Sequence, residues 1–200
     1  MNSLPFVFVF ADESCLGNGR EGRNPGGAAG LIEYPLSRGV DRGVGGGESM
    51  VRLDYWLSEP AATNNRMALR SAIEAMRILS RKGNRLRVQF TSDSQYLVKG
   101  MSEWIRSWKA RGWKRREGEI ENLHLWKELA DVAGAHVVDW QWVRGHNKHA
   151  QNEYADHLAT RAAREQSNSN GPVPSLYEEW LADQRARGKL PAAPLTGGHS

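Results

Sequence analysis

The chain has one cysteine, Cys15, in 200 residues. A single thiol cannot close an internal disulfide or build a cysteine-rich zinc site. No apolar run approaches the roughly 20 residues of a membrane-spanning helix. The longest candidate, Leu4 to Ala11, has no basic residue before it and ends at Asp12. That pattern fits neither a transmembrane helix nor a signal peptide. There is no internal repeat. The expectation is a monomer in a reducing cytoplasm with no membrane partner. What is present, 40% hydrophobic and 25% charged residues, is ordinary globular composition and enough to bury a core.

Charge is unevenly spread. Lysine and arginine number 27 against 23 acidic residues, a net +4. Between Lys99 and Arg116 stand Lys99, Arg106, Lys109, Arg111, Lys114, Arg115 and Arg116 against Glu103 alone, so this stretch carries +6 and the rest about −2. A cationic patch on a near-neutral body points to a polyanionic partner, or else to a solvated helix face.

The pattern along the chain predicts alternating sheet and helix. Phe6 to Phe10 (FVFVF) reads as a buried strand running into Asp12. Gly17 to Gly30 is too glycine-rich for helix. Ala28 to Tyr34 reads as a second strand, Leu36 to Gly47 as a long hairpin loop, and Ser49 to Leu57 as a third strand of period two. A helix then starts at an N-cap on Thr63 or Asn64, buries Met67, Leu69, Ala72, Ile73, Met76 and Leu79, and stops at Gly83. Leu86 to Thr91 is a fourth strand ending at Asp93. Helices follow at Ser94 to Ala110, with a break at Gly100, and at Ile120 to Ala133, separated by a basic loop. Ala135 to Val143 is a fifth strand and Ala150 to Glu165 a helix. The order βββαβααβα specifies an α/β fold, a mixed five-stranded sheet flanked by helices. Residues 1–164 form the expected domain. Residues 165–200 read as a polar linker, a short helix over Leu176 to Arg187 and a disordered tail from Pro191, with no partner indicated.

Three aspartates fall at the edges of these elements: Asp12 in or just beyond strand one, Asp93 closing strand four, Asp156 on the last helix of the domain. If strands one and four are neighbours, Asp12 and Asp93 converge at one sheet edge and Asp156 completes a cluster. Convergent carboxylates repel unless a divalent cation neutralises them. All-oxygen ligation selects a hard ion, Mg²⁺ or Mn²⁺.

The motifs around these aspartates are specific. Phe10-Ala11-Asp12-Glu13-Ser14-Cys15-Leu16-Gly17-Asn18, Thr63-Asn64-Asn65-Arg66-Met67, Thr91-Ser92-Asp93-Ser94-Gln95-Tyr96, Trp142-Val143-Arg144-Gly145-His146-Asn147-Lys148-His149 and Asn152-Glu153-Tyr154-Ala155-Asp156 occur in the order found in bacterial ribonuclease H, type 1. The chain resembles that family over roughly residues 5 to 164. The stretch from Trp104 to Lys114 resembles its basic protrusion. The resemblance implies a ribonuclease H-like fold and endonucleolytic hydrolysis of the RNA strand of an RNA–DNA hybrid. It implies two divalent ions, one helping to generate the attacking hydroxide and one stabilising the leaving 3′ oxygen. Asp12, Asp93 and Asp156 match three of four metal-binding carboxylates, and His146 matches a flexible-loop histidine that moves protons or assists product release.

The fourth carboxylate is missing. Where the family pattern reads NNRMEL, this chain reads Asn64-Asn65-Arg66-Met67-Ala68-Leu69, and where it reads TDGS, this chain reads Ala11-Asp12-Glu13-Ser14. Glu74 faces about 240° away around the helix and cannot reach. Glu13 follows Asp12, so in a strand it points to the opposite face and is not expected to substitute. Two readings follow: a ribonuclease H impaired at Ala68, or a hybrid-binding module that keeps the fold without catalysis.

Asn18, Asn64, Asn65, Cys15 and Gln95 match positions that read the hybrid's minor groove, where neutral amides suit 2′-hydroxyls. No activating base accompanies Cys15, which makes it a contact or packing residue and not a nucleophile. Trp104 and Trp108, four apart on one helix face, and Trp113 read as a packing stripe that also faces the DNA backbone. Lys99, Arg106, Lys109, Lys114 and Arg115 are phosphate candidates, which position a duplex with little sequence preference.

Overall fold

In a computed structural model the described residues are 4–17, 24–35, 50–145 and 149–191. The predicted hairpin loop at 36–47, Asn18, His146 and the tail from 192 lie outside them. The sheet is built around β1 (Phe6–Cys15), antiparallel to β2 (Gly26–Pro35) and parallel to β4 (Arg87–Ser92). β3 (Met50–Glu59) continues beyond β2, and β5 (Val137–Trp142) lies parallel to β4.

The sheet has six strands in the order β5-β4-β1-β2-β3-β6, not the expected five. The addition, β6 (Val173–Pro174), comes from the segment expected to be a linker. Its polar residues complete the edge of β3. Ser169 N–H donates to the Trp56 carbonyl (2.9 Å), Trp56 N–H donates to Ser169 Oγ (3.0 Å), and Ser58 N–H donates to Asn168 Oδ1 (2.8 Å). A composition typical of a loop here serves an edge strand whose backbone groups need partners.

Residue parity along β1 sorts its two faces. Val7, Val9 and Ala11 pack with Ala68, Leu69 and Ala72 of α1 (Asn64–Ser80), and with Leu125 and Leu129 of α4 (Leu123–Ala133). Phe8 and Phe10 pack on the other side with Tyr154 and Leu158 of α5 (Ala150–Glu165). Thr63 caps α1, its hydroxyl accepting from the Arg66 N–H at 3.3 Å. Helix α5 lies so close to β2 that a Cβ on Gly27 would collide with the α5 backbone at Ala159 and Ala163.

The helical segment after Asp93 is broken at Gly100, as expected, by a π-helical turn. Helix α2 (Gln95–Lys99) passes through Gly100–Trp104 into α3 (Ile105–Ala110). The Trp126 ring fills the space a side chain at Gly100 would need. The helix expected from Ile120 starts later, at Leu123, because Asn122 is left-handed (φ 55°).

The C-terminal segment is integrated into the fold. Helix α6 (Tyr177–Ala186) buries Tyr177 and Leu181, and Leu190 returns to the same apolar cluster as Tyr154 and Leu158. Arg52 bridges Glu33 (2.5 Å) on β2 and Glu178 (2.6 Å) on α6. The buried Asp54 accepts from the Tyr154 hydroxyl at 2.6 Å and the Leu176 N–H at 3.3 Å. The short helix expected over Leu176 to Arg187 is thus present, and this segment packs on the body through Leu190.

Candidate metal centre and nucleic-acid interface

Strand pairing brings the acidic residues together. β1 and β4 run parallel with Ala11 opposite Ser92, so Asp12 and Asp93 leave the same end of the sheet side by side. Asp12, Glu13 and Asp93 place carboxylate oxygens within 4.8 Å of one another.

The inclusion of Glu13 corrects the expectation that it could not take part. Its side chain does belong to the face opposite Asp12. That face is the one carrying α1, because Val9 and Ala11 share a cluster with Ala68. Glu13 therefore enters from the side on which the family's helix-borne glutamate would stand, and Ala68, 1% exposed, adds no bulk or charge there. The cluster lies beyond the end of β4 and receives side chains from both faces. Alternation, used to exclude Glu13, is what delivers it.

The site is electrostatically loaded. Burial raises the Asp12 carboxyl far above the usual range, and the charges of Asp93, Glu13 and Asp156 add to it; the Glu13 N–H on Asp12 Oδ1 (2.7 Å) opposes. Burial, then Asp93, pushes Glu13 up to about 8, while the Ser94 side chain hydrogen-bonds to it and opposes. Acids held this close favour either protons or a cation. The set fits a hard divalent ion: several carboxylate oxygens, no sulfur or imidazole in the trio, and a repulsion that a cation removes.

Two neighbours shape the trio. Asn152, 3% exposed, donates from Nδ2 to Asp12 Oδ2 at 3.0 Å, and its Oδ1 is buried without a hydrogen-bond partner among the described residues. The signal for it was present in the motif preceding Asp156, but its role needed the contact with Asp12. Gly145 presses on Asp93 so closely that a Cβ would collide with the carboxylate. Asp156, one turn along α5 from Asn152, stands outside the close trio while its charge still raises both Asp12 and Glu13.

The candidate substrate residues gather at the same sheet end. Cys15 pairs with Gly26 and Gly26 with Glu59, so the start of α1, with half-buried Asn64 and Asn65, lies near the end of β1. Burial pushes the Cys15 thiol up to about 11, which excludes a thiolate nucleophile near neutral pH. Gln95 is exposed at the first turn of α2. Lys99, Arg106, Lys109, Lys114 and Arg115 are all exposed. The tryptophans divide differently from expectation. Trp108 is 8% exposed, its ring 5.5 Å from Trp126 and 5.7 Å from Trp104, so its larger part is packing. Trp104 and Trp113 are half-buried, and Lys127 Nζ lies 5.9 Å from the Trp113 ring centre.

With this geometry the comparisons with known proteins agree. The RNase H family matches residues 5–164. A ribonuclease H of Pelobacter propionicus is 41% identical over 160 residues, covering 80% of this chain and 85% of that protein. Ribonuclease HI of Caulobacter vibrioides is 40% identical over 162 residues, covering 80% and 95%. Among solved structures, LC9-RNase H1, described as a type 1 RNase H with the type 2 active-site motif, is similar with a TM-score of 0.83 and 51% identity over 100% of both chains.

Proposed function

The chain belongs to the RNase H family, and on that premise we propose that it is an endonuclease cleaving the RNA strand of RNA–DNA hybrids with a relocated carboxylate set. The observation that carries this reading is the convergence of Asp12, Glu13 and Asp93 within 4.8 Å. Ala68 alone would favour a binding module without catalysis; Glu13 removes that ground. The description of LC9-RNase H1 as a type 1 RNase H with the type 2 active-site motif supports such a rearrangement.

Asp12, Glu13 and Asp93 would hold Mg²⁺, or Mn²⁺, with Asp156 and the Asn152 carbonyl oxygen at the flank of Asp12. Bound there, two such ions would supply an attacking hydroxide and charge stabilisation for the leaving 3′ oxygen. Asn152 fixes the Asp12 carboxylate through its amide, and Gly145 allows the loop before His146 to close on Asp93. His146 is assigned proton movement or product release. Cys15, Asn64, Asn65 and Gln95, with Asn18, are assigned to the minor groove, and Lys109, Lys114 and neighbouring cations to phosphates.

A labelled hybrid incubated with Mg²⁺ tests the reading. The parent cleaves the RNA strand, whereas Glu13→Gln loses roughly 100-fold or more in turnover with hybrid affinity retained, since it removes an anionic ligand but no substrate contact. Equal turnover in parent and variant would sink the role of Glu13.

A further inference from the structure

A groove of about 620 Å³ runs between α5 and the turn that follows α6, and it opens beside Asp156. One wall is a stripe of α5: Asp156, Thr160 and Arg164, each four residues from the next. These span about 12 Å at 1.5 Å per residue, a length over which one strand of B-form DNA carries about three phosphates. The other wall comes from residues beyond the family match, which ends at 164. It includes Trp180, Arg187 and Lys189.

This second wall is firmly placed. Tyr177, Leu181 and Leu190 are buried on either side of it. Gly188 turns the chain (φ 68°), and backbone hydrogen bonds from Gly188 to Arg185 (3.0 Å) and from Lys189 to Gln184 (2.9 Å) close the turn. Lys189 is therefore presented on a fixed mount.

The charge is graded. Along α5, Glu153 and Asp156 stand nearest the metal centre and Arg164 two turns further on, while Arg187 and Lys189 line the facing wall. Arg187 is engaged by Asp183 at 2.9 Å. Arg164 and Lys189 are exposed and have no ion-pair partner among the described residues. The Trp180 and His157 rings, centroids 6.1 Å apart and tilted by 33°, add aromatic surface against which a sugar or base could pack. A strand whose scissile phosphate sits on the acidic trio must leave the site along one of its flanks. The α5 stripe is such a flank, and its free cation, Arg164, stands beyond its carboxylates.

We propose that this groove binds the sugar–phosphate backbone of one strand of the hybrid beyond the scissile position, with Arg164 and Lys189 as its phosphate contacts. The inference rests on the hybrid-cleaving reading and extends its substrate interface onto the C-terminal segment. Arg164 and Lys189 lie on the surface, so their replacement leaves the core intact.

The test is fluorescence anisotropy in EDTA with labelled hybrids of two lengths. The short one covers the acidic trio and the basic stretch; the long one is extended by about four base pairs at either end. In the R164E/K189E double variant the Kd for one of the extended hybrids rises by roughly tenfold or more, and its salt slope falls by roughly 1.8 if two phosphate contacts are lost. The Kd for the short hybrid changes much less. An unchanged Kd for both extended hybrids, or the same loss on short and long, overturns the proposal. The same duplexes in Mg²⁺ report cleavage by the parent. Absence of cleavage would refute the ribonuclease reading, while the EDTA titration still decides whether the groove binds.

Discussion

At the scale of single residues, the exchange between positions 13 and 68 dominates. A carboxylate on the strand and one on the facing helix would approach the cluster from the same side of the sheet, so a second one there adds bulk and like charge. Ala68 is 1% exposed against an apolar cluster, and Glu13 already carries a strongly raised pKa. Ala68→Glu should therefore give no gain in turnover and should cost about 1–3 kcal/mol in stability from overpacking and repulsion. Urea melts beside single-turnover rates check both halves. A large gain in rate would mean that Glu13 does not fill the role. In contrast, Asp156→Asn should lose less activity than Asp12→Asn, because Asp156 stands outside the close trio.

At the scale of elements, the packing of α5 on β2 sets the other half of the site. Gly27 lets the α5 backbone lie directly on the sheet, and α5 carries both Asn152 and Asp156. Gly27→Ala must push α5 outward. It should destabilise the fold by about 1–3 kcal/mol and reduce turnover with it, read as a lowered Tm and a lowered kcat on hybrid. The basic stretch acts through charge and not through shape. Replacing Lys109, Lys114 and Arg115 with alanine should weaken hybrid binding across sequences and lower the salt slope by roughly 0.9 per lost contact. A salt titration that shows the parent's slope would make these residues a solvated face.

At the scale of the whole molecule, the buried acids couple folding to pH and to metal. Asp12 and Glu13 have folded-state pKa values above their unfolded ones, so the folded state holds more protons than the unfolded state between them. Stability then falls as pH rises through that window, which for Glu13 runs from 4.5 to about 8. His136 and His157 shift downward by burial and act in the opposite sense, so the comparison is made against Asp12→Asn. In metal-free buffer the parent should lose more Tm than Asp12→Asn between pH 5 and 8. Mg²⁺ should restore the parent at the upper end, since it binds the ionised folded site. Parallel Tm curves for the two proteins would show that Asp12 is not the strained group.

The sequence by itself determined the alternation of strand and helix, the three candidate aspartates, the cap at Thr63, the break at Gly100 and the family resemblance. These are local: periodicity, caps and motif spacing depend on neighbours along the chain. Only the tertiary structure decided that Glu13 joins Asp12 and Asp93, that Asn152 holds Asp12, that Trp108 is core, and that residues 167–190 finish the sheet and wall a groove. Each depends on which segments meet in space. Alternation along β1 assigns Glu13 a face but says nothing of where the cluster sits relative to the end of β4. A polar linker and a polar edge partner have the same composition until β3's unpaired backbone groups are seen beside them.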